Sequence, residues 1–471
     1  MSAVHNSPYR GQWYPESPAD LDALLEQKYA CSAARNGQPL AGGLGFVVPH
    51  AGPAYSGTVA AAVYRALQMQ RVERVVLLAF PHHGMLQGVA TPDVSAISTP
   101  LGEVAIDRRF AQQFRLVPES RLCDHSFEIQ LPFLQKSLPQ AMITPLYAGH
   151  LSPEERGNAA AILAGAWRPG TVFVASSDFT HYGREFQHLP FPTDRQTAER
   201  LRQLDFEYID AAGSLDAGLF LAALRRHEGN VCGAGPIALL LEVLRRLDGS
   251  GIYPSTLDYQ TSGDITGDWH HSVSYAALAF HPQSAFRLEA QDQELLLDSA
   301  AQTLRALREE GQREAVPCRG GSPALDTKRA AFVSLHRGDE LLGCIGNLAG
   351  RDPLAEEIPQ LTLSAALDDP RFGPATSECG PIDIEISVLT PLRRISGPSE
   401  FCLGKHGAYL TLDRRSGLLL PQVAREHDWT AEDFLRALER KSGLWKGACR
   451  DPKAKLYVFE ADIFARKQAL P

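Results

Sequence analysis

Three strongly apolar runs, LGFVVP (44–49), RVVLLAF (74–80) and TVFVAS (171–176), each end in a short segment punctuated by Gly, Pro or Ser that carries a histidine or an aspartate. Apolar runs without polar alternation belong to strands covered on both faces. Between and beyond them, LDALLEQKYA, GTVAAAVYRALQ, DAGLFLAALRRH and PIALLLEVLRRLDG place apolar residues at the spacing of amphipathic helices. The alternation predicts an α/β sandwich. Sheets of that kind build their ligand sites beyond the strand ends, on the connecting loops.

Six such segments hold almost every candidate ligand: Pro49–Gly57, Phe80–Gly84, Cys123–Phe133, Ser176–Gly183, Val231–Pro236 and Gly267–Tyr275. His50 and His82 occupy equivalent positions after successive apolar runs, with His83 adjacent. A single histidine at a strand end is commonly a hydrogen-bonded structural residue, but two in equivalent places point to metal ligation. Neutral imidazole suits iron, zinc and copper alike. Cys232, in VCGAGP before a helix opened by Pro236, is the natural third ligand, since a helix N-terminus favours a thiolate. The alternative is a small buried cysteine beneath a glycine-rich turn. In SSDFTHYG, Asp178 stands three residues before His181 and could orient it as a general acid or base, or serve as a cap. CDHSFEIQLPF offers Asp124, His125 and Glu128; His125 and Glu128 suit contacts to substrate or to the ligands, or the segment simply starts a helix.

The length of 471 residues calls for two or three domains. A net charge of −9 disfavours unspecific nucleic-acid binding. No apolar run reaches the roughly 18 residues of a membrane span, and MSAVHNSPYRGQWYPES lacks a signal-peptide layout, so a cytoplasmic location is expected. The eight cysteines, Cys379 among them, are scattered. That argues against zinc ribbons, CxxC redox pairs and iron–sulfur motifs.

The pattern changes after SYAALAF. The first domain is read as residues 1–282, a linker as 283–293 and a second domain as 294–471. ELLLDSAAQTLRALREEG predicts a helix stopped at Gly311. AAFVSLHRGDELLGCIGNL predicts two strands around an Arg-Gly-Asp turn, PIDIEISVLTPL a strand with one wet face, and Thr430 with Asp433 a capped helix start before a Gly443 stop. The second domain is therefore α+β. Gly343 and Gly346 leave the Cys344 thiol sterically accessible for nucleophilic or redox work if a base such as His336, His406 or His427 is near; otherwise the glycines serve packing. Arg371, in DDPRFGP, could bind an anion or sit in a surface ion pair.

Over residues 8–280 the ordered set GQWYPESPADLDALLE, PHAGPAYSG, FPHHG, CDHSFEIQLPF, SSDFTHYG, VCGAGP and WHHSVSYAA resembles the Memo family. The resemblance implies a fold like that of class III extradiol dioxygenases, with a mononuclear iron site at the strand ends. By motif it implies His50, His82 and Cys232 as ligands, with Asp178 and His181 lining the same cavity. The sequence departs from that pattern in FPHHG, where members usually read GPSHH. It also has Cys232 where the dioxygenases have a carboxylate, which puts catechol-type ring cleavage in doubt. Over about 294–468, LLGCIGNL, PLAEEI, DDPRFGP, IEISVLTPL and GLLLPQV resemble the AMMECR family, with Leu342 where Arg is usual. Proteins of the two kinds are associated with a radical S-adenosylmethionine enzyme in the AmmeMemoRadiSam system. The chain has no CxxxCxxC motif, so that enzyme would be a separate partner.

The leading expectation is an Fe(II)-dependent, dioxygenase-like oxidoreductase acting on an unidentified small molecule or modified residue, with Cu or Zn as other metals and His181 moving protons. Two alternatives remain. One is a metal-free thiol enzyme with Cys232 as nucleophile and His50 or His181 as base. The other is a non-catalytic module, since Memo-like proteins are described as docking phosphorylated peptides.

Overall fold

The computed structural model describes residues 3–83, 85–249, 251–375 and 380–470; Gly84 of the FPHHG segment and Cys379 lie outside them. The chain divides into two compact units, 1–285 and 286–471. No helix of the described residues is long and apolar enough to cross a membrane.

The first unit is built on a nine-stranded mixed sheet. Across it run His181–Gly183, His271–Pro282, Gly45–Val48, Thr171–Ser176, Arg74–Ala79, Met142–Ala148, Val89–Pro92 and Arg115–Val117, with Ile252–Thr261 paired to His271–Pro282. Gly45–Val48, Thr171–Ser176, Arg74–Ala79 and Met142–Ala148 are mutually parallel neighbours. Their C-terminal ends therefore share one edge. The continuous apolar runs have the double coverage that their composition requires. Val75, Leu77 and Ala79 pack into a core with helix Pro53–Gln68, whereas Val76 and Leu78 enter a second core with helix Ala234–Asp248. A three-stranded sheet of Ala3–Asn6, Val94–Thr99 and Gly102–Ala105 stands apart from the nine.

The second unit is α+β. One antiparallel sheet runs Glu340–Asn347, Ala331–Arg337, Ile382–Leu389, Ala461–Leu470, and a second runs Arg393–Ile395, Lys455–Phe459, Gly407–Leu412, Arg415–Leu419. Helices Ala290–Glu310 and Leu354–Leu367 share a core with the first sheet, and Ala431–Lys441 packs on the second. The hairpin turns at Gly338-Asp339, the Thr430–Asp433 capping box forms, and Gly311 takes a left-handed φ of 68° to end its helix. That helix starts at Ala290, four residues inside the stretch read as linker. Asp292 in its first turn is buried and accepts hydrogen bonds from Ser322 N–H and Oγ, which extends the helix back.

Candidate metal centre

His50 follows strand Gly45–Val48 and precedes helix Pro53–Gln68, whose first turn accepts proline because its N–H needs no partner. His82 lies just beyond Arg74–Ala79, and Asp178 just beyond Thr171–Ser176. The adjacency of these parallel strands brings the three segments together. His125 opens a single helical turn capped by Asp124, whose carboxylate accepts from Ser126 N–H.

The ligand atoms of His50, His82 and His125 lie within 4.8 Å of one another. The His82 and His125 rings are 4.2 Å apart, and His50 stands edge-on to both. Each ring is oriented by a polar group behind it. Asp124 accepts from the Nδ1 and backbone N–H of His82, and it lies 3.3 Å from Nδ1 of His125. Nδ1 of His50 meets Ser176 Oγ at 3.1 Å, and Ser176 is itself held by Gln130, which Tyr64 anchors. When Asp124 and Ser176 accept from the Nδ1–H of His82 and His50, the Nε2 atoms of both rings carry a lone pair, that of His50 facing Cys232 Sγ. Carboxylate behind imidazole is the usual support of a metal-binding histidine.

Electrostatics agree with a ligating role. Burial, then the neighbouring His125 and His82, hold the His50 pKa well below its ordinary value. Burial lowers His125 to about 4 against the opposing pull of Asp124. Both are neutral donors near pH 7. Burial pushes the Asp124 carboxyl up, but the hydrogen bond from His82, the nearby His125 and His82 rings and the Ser126 N–H outweigh it and hold it well below the usual carboxylate range.

Other candidates fall in different places. Cys232 adjoins the cluster at His50, Sγ to Nε2 at 3.1 Å, and is not in the mutually close set found among the described residues. Its approach needs Gly233: a Cβ there would come within 2.4 Å of Ser177 Cβ. Burial, then Asp178, pushes its thiol up. Asp178 does not pair with His181, because its Oδ1 accepts from the backbone N–H groups of His50 and Ala51. Asp178 thus fixes the loop that carries His50, and burial raises it to about 7. His181 is instead held through its backbone by Asn230, and its buried Nδ1 has no hydrogen-bond partner among the described residues. Glu128 turns away from the imidazoles and binds His5 Nε2 at 3.0 Å. His83 is mostly exposed. The residue reading missed Trp13 and Tyr9, whose rings pack on His125; only the WYP string pointed there.

In the second unit Cys344 accepts from Ser334 Oγ at 3.2 Å, and its N–H donates to Asp369. The histidines proposed as its base are engaged elsewhere in two cases: His406 accepts from Cys402 N–H, and His427 stacks on Trp429. The glycines serve packing, since a Cβ on Gly343 would lie 2.0 Å from Ala365 O. Arg371 forms an ion pair with Asp369 and donates to Cys344 O.

Known proteins give the same division of the chain. The Memo-like protein family model matches residues 7–279 and the AMMECR1 model residues 297–464. A MEMO1 family protein of Methanosarcina mazei is 34% identical over 277 residues, covering 57% of this chain and 96% of that protein. The protein memo-1 homolog of Caenorhabditis elegans is 29% identical over 59% of this chain and 83% of its own length. Among solved structures, an uncharacterized protein of Pyrococcus horikoshii is 33% identical over 39% of this chain and 96% of its own, with a TM-score of 0.37. With one model spanning more than half of its residues, this chain belongs to the Memo family, which has a dioxygenase-like fold, and carries an AMMECR1 domain after its Memo domain.

Proposed function

We propose that the first domain binds one transition metal, Fe(II) first and the redox-inactive Zn(II) only as a competitor beside Cu, and acts with Fe(II) as a dioxygenase-like oxidoreductase on a small molecule or modified residue. The observation that carries this reading is the mutual approach of three imidazoles from distant segments, two of them backed by one buried carboxylate. The donor set fits: the nitrogens are gathered and oriented from behind, and burial keeps His50 and His125 neutral. A bound metal would supply open coordination positions and one-electron chemistry.

The chain's own residues account for the rest. Asp124 and Ser176 fix ring orientation, and Asp178 fixes the His50 loop. His181 is kept neutral by burial and presents an unpartnered Nδ1 that can accept a proton beside the cluster. Trp13 and Tyr9 pack on the His125 ring. Metal analysis of protein purified anaerobically tests the reading; His50→Ala should lose this metal, and full retention would sink it.

The Sγ–Nε2 contact of Cys232 and His50 also suits a metal-free thiol enzyme acting on acyl or amide groups. The raised thiol pKa weighs against it. Turnover by metal-stripped protein, blocked by alkylating Cys232, would favour it.

A Memo and an AMMECR1 domain in one chain further support work within the AmmeMemoRadiSam system, beside a separate radical S-adenosylmethionine enzyme. Co-purification of that enzyme with the tagged chain tests this.

A further inference from the structure

A neighbouring stretch of the first domain carries ligating groups that the imidazole cluster does not use. Two single helical turns, Glu119–Leu122 and His125–Glu128, are separated by the extended residues Cys123 and Asp124. Asp124 and His125 join His82, as described. Cys123 and Glu128 instead meet His5, on the strand Ala3–Asn6 that pairs with Val94–Thr99. The ligand atoms of His5, Cys123 and Glu128 all lie within 4.8 Å of one another.

The group is unbalanced in two respects. Glu128 is fully buried, and its Oε2 has no hydrogen-bond partner among the described residues; the buried Oε2 of Glu119 also has none. Leaving a buried polar oxygen bare costs on the order of 1–3 kcal/mol. Basic partners are also few. His5 is the only basic side chain paired with Glu119 and Glu128 among the described residues, at 3.8 and 3.0 Å. A plain His–Glu ion pair would satisfy one oxygen of Glu128 and leave the second oxygen and the adjacent thiol unexplained.

The geometry points to a second metal site, at which His5 Nε2, Cys123 Sγ and the Glu128 carboxylate bind a zinc-type divalent cation, tying the N-terminal strand to the segment that carries Asp124 and His125. Imidazole, thiolate and carboxylate together are the donors zinc takes, whereas magnesium and calcium take oxygen alone. Tetrahedral zinc distances place ligand atoms roughly 3.3–3.8 Å apart, close to the 4.8 Å within which these three already lie. Glu119, on the Nδ1 side of His5, is placed to accept that N–H, as a carboxylate does behind a metal-bound histidine. Binding transfers the Cys123 thiol proton to solvent and forms a metal–sulfur bond, with no change of oxidation state.

The test uses the full chain, stripped with a chelator and titrated with Zn(II), and with Co(II) as a spectroscopic probe. Wild type should take up two equivalents, one lost in His50→Ala and the other in Cys123→Ser. The thiolate-to-Co(II) charge-transfer absorption should survive Cys232→Ser and vanish in Cys123→Ser. His5→Gln, on a half-buried strand residue, should also lose one equivalent, which keeps the test open if Cys123→Ser fails to fold. Full metal uptake by His5→Gln or by folded Cys123→Ser would overturn the site. Failure of the imidazole site would show separately, as His50→Ala retaining all its metal while Cys123→Ser loses one equivalent.

Discussion

Asp124 accepts the Nδ1–H of His82 at 2.9 Å across 42 residues of sequence. The same carboxylate caps the turn that presents His125. Replacing it with Asn separates its two roles, because Asn caps a helix as well as Asp but is a far weaker acceptor for imidazole. Asp124→Asn should weaken metal binding about 10–100-fold with little loss of metal-free stability. Competition with a chromogenic chelator, beside a melting curve, checks both.

The third ligand can be decided by substitution. Mutual distance favours His125, whereas the sequence reading gave Cys232. With three imidazoles as ligands, His125→Ala loses the Fe(II) and Cys232→Ser keeps it; the reverse outcome would restore the thiolate as third ligand.

His281 provides a pH test away from the cluster. It is fully buried, and burial lowers it to about 4 against the raising effect of the Leu40 carbonyl it contacts. A folded pKa below the unfolded value of about 6.5 means the unfolded chain takes up the proton first. The stabilisation is complete above about pH 6.5 and is lost as pH falls toward 4, up to about 3 kcal/mol. Denaturation of metal-free protein at pH 7 and pH 4.5 should show a smaller acid loss in His281→Gln than in wild type.

The LLGCIG string should behave as a packing element. Gly343→Ala drives a Cβ into the Ala365 carbonyl and should destabilise the second domain by about 1–3 kcal/mol or more. Cys344→Ser is nearly isosteric and should leave stability within about 1 kcal/mol. Chemical denaturation of both variants checks the contrast.

Much of this fold was legible because apolar runs such as RVVLLAF report double burial directly, and because Gly311 and the Thr430–Asp433 box are local signals. The site was partly legible: His50 and His82 stand out as equivalent strand-end residues. The exchange of partners by Asp178, which holds the His50 backbone rather than the His181 ring, was not legible. Three-residue spacing says what two side chains could reach, whereas the neighbouring strand decides which donor arrives. His125 and Glu128 likewise sit in one helical turn yet face different clusters, a division set by the distant His82 and His5.

The most direct measurement is anaerobic Fe(II) titration of the metal-stripped chain beside His50→Ala and His82→Ala. Wild type should bind about one equivalent of Fe(II) tightly, and each variant should lose it. Unchanged Fe(II) binding in both variants would contradict it.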